Sequence, residues 1–159
     1  MQLTDTQKLE YIKTGFNKCP MCSSTDFDVN TPDGSHVTYS HESDCNHCFG
    51  TWQDEFSLSD IELIKGGKLE IKQLNKLQKE RYLSHGHACP VCQYNNEDGK
   101  GLGLNCDEFQ PDGNTGSMLV DCPCCKSEWQ EIYNLTDVEV LDGGKYAREE
   151  SNEDVSDAE

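Results

Sequence analysis

Apolar side chains are scarce in this 159-residue chain: only 34% of it is hydrophobic and 8% aromatic. An average globular chain has roughly 45–50% apolar residues, so a large apolar core is excluded. No run of about 18 apolar residues exists, and no membrane-spanning helix is expected. Met1-Gln2-Leu3-Thr4-Asp5 has neither the basic start nor the apolar stretch of an export signal. Positive charge is sparse too, with 13 Lys and Arg against 30 Asp and Glu and a formal charge of -17. Also missing are a Gly-rich phosphate loop, a nucleophile with its base, and an H-E-x-x-H helix. The chain is therefore expected not to be an enzyme.

What it has instead is ten cysteines. Eight form four C-x-x-C pairs: Cys19/Cys22, Cys45/Cys48, Cys89/Cys92 and Cys122/Cys125. With no export signal, a reducing cytoplasmic location is expected, which disfavours a disulfide framework. In that compartment the spacing suits metal. A tight turn points both thiolates at one ion, and two such turns complete the four-sulfur tetrahedron that Zn²⁺ favours in closed structural sites. The gaps between pairs are 22, 40 and 29 residues. They suggest two structural Zn²⁺ sites, Cys19, Cys22, Cys45 and Cys48 for one and Cys89, Cys92, Cys122 and Cys125 for the other. Four thiolates can also hold iron for rubredoxin-like electron transfer. Against that reading, Ser23, Phe49, Gln93 and Lys126 stand where a glycine would follow each pair. Cys124 is expected to be a free surface thiol, and Cys106 a half-buried strand residue. His47 and His87 lie beside the pairs, but four thiolates already fill each site.

The chain is a duplication. Trp52-Gln53-Asp54-Glu55-Phe56 matches Trp129-Gln130-Glu131-Ile132-Tyr133, and Lys65-Gly66-Gly67-Lys68 matches Asp142-Gly143-Gly144-Lys145, at an offset of 77. Upstream, Gln7-Lys8-Leu9-Glu10-Tyr11-Ile12 matches Gln78-Lys79-Glu80-Arg81-Tyr82-Leu83, at an offset of 71. The unit reads as a helix, a cysteine turn, a hairpin, a second cysteine turn, a strand and a short cap. Thr4-x-x-Gln7 is a capping-box pattern, with Leu9 and Ile12 on one face and Gly15 as the stop. A second helix is expected across 65–85, ending near Gly86. Asp26–Thr31 and His36–His41 flank a hairpin turn at Pro32-Asp33-Gly34-Ser35. Gly103–Gln110 and Ser117–Asp121 do the same around Pro111-Asp112-Gly113-Asn114. Trp52, Phe56 and Leu58 share a strand face as core, as do Trp129, Tyr133 and Leu135. Ser59-x-x-Glu62 and Thr136-x-x-Glu139 then predict a last helical turn, ended by the Gly-Gly pairs.

So few apolar groups struggle against an ordering cost of about 1–2 kcal/mol per residue. Structural zinc contributes ~10–16 kcal/mol in finger peptides, enough to decide whether the chain folds. The expected class is small, metal-stabilised α+β. Residues 1–68 form a first helix and metal unit, 69–145 a linker helix and second unit, and 146–159 an acidic, disordered tail.

Cys19-Pro20-Met21-Cys22-Ser23-Ser24-Thr25-Asp26, then Cys45-x-x-Cys48 with Trp52 and Phe56, resembles the small zinc-ribbon proteins of bacteriophage and mobile elements. The second half keeps Cys89-Pro90-Val91-Cys92, Trp129, Tyr133 and Leu135, but has Gln93-Tyr94-Asn95-Asn96 after its first turn. The resemblance implies two tandem zinc ribbons. It names no activity, since such ribbons occur in transcription factors, polymerase subunits, primases and restriction-alleviation proteins.

Charge narrows the partners. Residues 15–64 carry one basic and nine acidic side chains, and 86–141 two basic and ten acidic. Nucleic acid needs Lys and Arg on the contact face, and neither segment supplies them. Segment 65–85 does, with six basic side chains. Lys68, Lys72, Lys76 and Lys79 fall at helical intervals, as a nucleic-acid face or as a solvated face pairing with the acidic segments. The acidic segments suit a protein partner with a basic surface.

Overall fold

The computed structural model describes residues 2–35, 37–85, 88–95 and 103–146. The expected tail beyond Tyr146, the helix end at Gly86, and His36 and His87 lie outside the described residues. The described residues form a small α+β fold of two α-helices and antiparallel strands.

Helix α1 spans Asp5–Thr14 and starts at the expected capping box. The Gln7 N–H donates to Thr4 Oγ1 and the Thr4 N–H to Gln7 Oε1, so two amides that the helix cannot satisfy find partners. Gly15 ends it at φ 76°. Its inner face differs from expectation: Tyr11 and Leu3 are buried, whereas Leu9 is 57% exposed.

Helix α2, Lys76–His85, begins later than the sequence suggested. The preceding strand runs on to Lys65, a single 3-10 turn follows at Gly67–Leu69, and Lys72 lies outside any helix. The cause is a second capping box. Asn75 Oδ1 accepts from the Gln78 N–H and Gln78 Oε1 from the Asn75 N–H, the counterpart of Thr4 and Gln7. The expected four-lysine helical face therefore does not form.

The remaining elements are β1 (Phe27–Val29), β2 (Asp33–Ser35), β3 (Thr38–Cys45), β4 (Thr51–Lys65), β5 (Asn105–Cys106), β6 (Gln110–Asp112), β7 (Thr115–Asp121) and β8 (Glu128–Asp142). Both hairpin turns shift from their predicted places. Asp33-Gly34-Ser35 is strand, and so are Pro111 and Asp112, where Asp112 pairs with Thr115 around Gly113 at φ 61°.

Strands β4 and β8 each continue through the expected helical turn for 15 residues. On β8, Trp129, Glu131, Tyr133 and Leu135 alternate inward, and the buried set then slips by one residue to Val138. On β4 the slip falls between Phe56 and Ile61. Asp60 and Asp137 mark it, each accepting from the next backbone N–H at 2.7 and 2.8 Å. This is the local offset that a β-bulge introduces, and Ser-x-x-Glu imitates a helix start there.

Contacts divide the chain into two compact units that interleave along the sequence. The first comprises Met1–Asp33, Ser40–Glu55 and Leu135–Glu159, the second Gly34–Tyr39 and Phe56–Asn134. In the first, β1 pairs with β3 from Phe27↔Cys45 to Val29↔Ser43. The start of β4 lies between β3 and the end of β8, where Thr136 Oγ1 donates to the Glu55 carbonyl. Lys8 of α1 reaches Asp137 at 2.8 Å. In the second, β7 pairs with β8 from Thr115↔Asn134 to Asp121↔Glu128, with β5 and β6 on its other side. Lys65 meets Glu128 at 2.6 Å, and Lys79 of α2 meets Asp60 at 2.8 Å. Each long strand changes unit partway, so each repeat lends its last strand segment to the unit holding the other repeat's cysteines.

Candidate metal centres

Four turns of one design present the cysteines. In each, the N–H of the residue after the second cysteine donates to the first cysteine's carbonyl. Ser23 to Cys19, Phe49 to Cys45, Gln93 to Cys89 and Lys126 to Cys122 all span 2.9 Å. The first cysteine's own N–H donates to the carbonyl five residues on, at 2.7–2.9 Å. Closing that loop requires a left-handed residue, and Ser23, Phe49, Gln93 and Lys126 take φ of 59° to 63°. The missing glycines therefore say nothing about which metal is held, because the turn forms without them.

The turns meet in pairs. Cys19, Cys22, Cys45 and Cys48 form one group and Cys89, Cys92, Cys122 and Cys125 another, each with sulfurs within 4.8 Å of one another, and each could hold a metal ion. In centre one, Cys19 Sγ lies 3.7 Å from Cys48 Sγ and Cys22 Sγ 3.6 Å from Cys45 Sγ. In centre two, Cys89–Cys125 and Cys92–Cys122 are both 3.7 Å. A tetrahedron with Zn–S bonds of about 2.3 Å has edges of about 3.8 Å, so the donor set fits such an ion. Backbone N–H groups aim at the sulfurs, Cys48 N at Cys45 Sγ (3.5 Å) and Val91 N at Cys89 Sγ (3.4 Å).

Without an ion, burial pushes four of these thiols up. Cys122 rises to about 11, and Cys19, Cys48 and Cys92 rise as well. In Cys45 the same burial is outweighed by the N–H groups of Cys48 and His47 and by its neighbouring thiols, which lower it to about 7. In Cys125 burial is outweighed chiefly by the Ser127 hydroxyl and N–H, again to about 7. In each centre, then, hydrogen bonds to one sulfur of the later pair favour its thiolate form.

Each repeat also holds a buried acid that the cysteine pattern did not disclose. Asp54 and Glu131 are both fully buried. Tyr11 Oη donates to Asp54 Oδ2 at 3.1 Å, and Trp52 Nε1 donates to Tyr11 Oη at 3.0 Å and to Asp54 Oδ2 at 3.1 Å. Tyr82 and Tyr133 donate to the two oxygens of Glu131. The signal was available, since each acid stands two residues from a core Trp and two from a core aromatic. Strand alternation places it on their face. Burial raises both carboxyls, Asp54 to about 7, although the Tyr and Trp donors oppose it.

The remaining candidates fall as follows. Trp52, Phe56, Trp129 and Tyr133 are fully buried core. Cys106 sits in a strand as expected, but is exposed, and Cys124 is exposed. His47 is exposed, with its carbonyl accepting from Lys145 Nζ at 2.7 Å. Of the four lysines, Lys68 Nζ donates to the Cys124 carbonyl at 3.0 Å, Lys76 pairs with Glu80 at 3.5 Å, and Lys79 holds Asp60. No helix among the described residues is long and apolar enough to cross a membrane. In comparisons with known proteins, no family model, no curated protein and no solved structure matched this chain.

Proposed function

We propose that this chain is a non-enzymatic zinc protein, two zinc ribbons of the phage and mobile-element kind whose acidic surface engages a basic protein partner in a cell's cytoplasm. The observation carrying it is the pair of four-thiolate groups at tetrahedral spacing. Four protein sulfurs leave a bound zinc no open position for substrate, so the metal serves folding rather than Lewis-acid chemistry. The charge of -17 favours a cationic protein surface, in the machinery of transcription, replication or restriction. The engagement of Lys68 and Lys79 by groups of this chain supports a structural use of those side chains over a nucleic-acid one.

The test is elemental mass spectrometry on protein purified without added metal, with circular dichroism before and after chelation. Two zinc ions per chain and unfolding on chelation are expected. Iron would turn the reading to electron transfer, and a metal-free folded chain would overturn it. For the partner, capture of a basic protein at low salt that is lost at high salt is expected. A low-salt mobility shift with DNA or RNA would favour nucleic acid instead.

A further inference from the structure

We infer that Gly67-Lys68 and Gly144-Lys145 are positioning elements of the metal centres, each clamping the centre built from the other repeat's cysteines. The inference rests on the metal-binding reading above and adds residues that the cysteine pattern does not contain.

The second cysteine turn of each centre ends with two carbonyls that its own hydrogen bonds leave unused. In centre two these belong to Cys124 and Cys125. Lys68 takes both, its N–H donating to Cys125 O at 2.7 Å and its Nζ to Cys124 O at 3.0 Å. In centre one they belong to His47 and Cys48. Lys145 takes both, its N–H donating to Cys48 O at 2.9 Å and its Nζ to His47 O at 2.7 Å. The Lys145 ammonium also lies over the Phe49 ring, 4.8 Å from its centroid.

Each lysine follows a glycine that the clamp requires. Gly67 and Gly144 have φ of 61° and 56°. A Cβ on Gly67 would stand 2.2 Å from Cys125 O and 2.5 Å from Ser127 N; on Gly144 it would stand 2.3 Å from Cys48 O and 2.5 Å from Gly50 N. All four are backbone atoms of the cysteine turn or its exit, which cannot swing aside. The glycines let one backbone lie directly on another, and the lysines fasten it.

The same four-atom grip occurs twice, between residues related by the same offset of 77, and both times on the opposite repeat's turn. Its chemistry suits a metal site. Four thiolates around Zn²⁺ carry a net charge of -2, and an ammonium one residue from a ligand partly compensates it. Occupying both carbonyls also holds the turn in the conformation that aims its thiolates inward. Opening the clamp should therefore loosen the ligands of a centre remote in sequence.

The test is site-resolved cysteine alkylation of the zinc-loaded full chain. N-ethylmaleimide is added with a competing chelator, and each cysteine is followed by peptide mass spectrometry. Gly144→Val is expected to speed alkylation of Cys19, Cys22, Cys45 and Cys48 by roughly tenfold or more, about 1.4 kcal/mol, with Cys89–Cys125 slowed as in wild type. Gly67→Val should give the mirror pattern. Lys145→Ala and Lys68→Ala should give the same crossed pattern at about threefold, since these are exposed hydrogen bonds, with Lys→Arg restoring protection. The lysine variants keep the test decisive where a valine prevents folding. Acceleration in the variant's own repeat, in both centres alike, or in neither would overturn the clamp. A wild-type chain alkylated at free-thiol rates despite zinc would instead overturn the metal reading itself.

Discussion

At position 50 the first centre has glycine, and at the equivalent position 127 the second has serine. The difference reaches the sulfurs. Ser127 Oγ lies 3.0 Å from Cys125 Sγ and 3.3 Å from Cys89 Sγ, so centre two has a hydroxyl donor that centre one lacks. Centre one cannot accommodate it: a Cβ on Gly50 would meet Met21 at 2.4 Å and the Asp142 carbonyl at 2.9 Å. The Ser127 hydroxyl and N–H lower the Cys125 thiol, whereas in centre one the N–H groups of Cys48 and His47 lower Cys45. Among the buried acids, Asp54 has a single tyrosine donor, whereas Glu131 has two. The duplication kept the turns and the clamp and varied the hydrogen bonds that set acidity.

Four experiments break or sharpen that comparison. The largest effect belongs to the ligands. Cys45→Ser and Cys125→Ser should each remove one metal per chain and forfeit much of the ~10–16 kcal/mol that a structural zinc supplies, while Cys106→Ser and Cys124→Ser leave two. Native mass spectrometry reads the count directly, and loss of metal from either control would break the assignment.

Next comes the buried acid of the first unit. With its folded pKa at about 7 against an ordinary 3.8, Asp54 binds more protons folded than unfolded. Stability from this group is present below about pH 4, falls as pH rises towards 7 and is level above, a span on the order of 4 kcal/mol. Asp54→Asn should flatten that slope in denaturant titrations of metal-loaded protein. A carboxyl carbon resonance titrating near 4 would show the acid is not held as described.

Removing a tyrosine donor tests the second unit. Tyr82→Phe takes one of two hydroxyls from Glu131 and Tyr11→Phe the one tyrosine hydroxyl from Asp54, each costing about 2 kcal/mol of unfolding free energy in denaturant titrations. The smallest effect is expected at the hydroxyl itself. Ser127→Ala should raise the Cys125 thiol's pKa and speed zinc release from centre two severalfold, about 1 kcal/mol. Unchanged release would remove the distinction between the centres.

The sequence disclosed what depends on near neighbours. The C-x-x-C turns, the Thr4-x-x-Gln7 cap and the alternation around Trp52 and Trp129 are local patterns, and all stand in the fold. The second cap, Asn75-x-x-Gln78, was equally local but lay inside a lysine spacing that imitated one long helix. Ser59-x-x-Glu62 and Thr136-x-x-Glu139 misled because Asp60 and Asp137 bond the next backbone amide within a strand, a short-range pattern shared with helix starts. The exchange of strand ends was not legible. Whether β8 finishes beside Cys48 depends on where a 15-residue strand is carried, which no local period encodes.

The clamp also gives the two centres different histories during synthesis. Lys68 precedes Cys124 by 56 positions, so centre two finds its fastener already made. Lys145 follows His47 by 98 positions. At about 5–20 residues per second, the first four cysteines wait on the order of ten seconds for theirs. If the clamp acts as inferred, the thiols made first are the last to be secured.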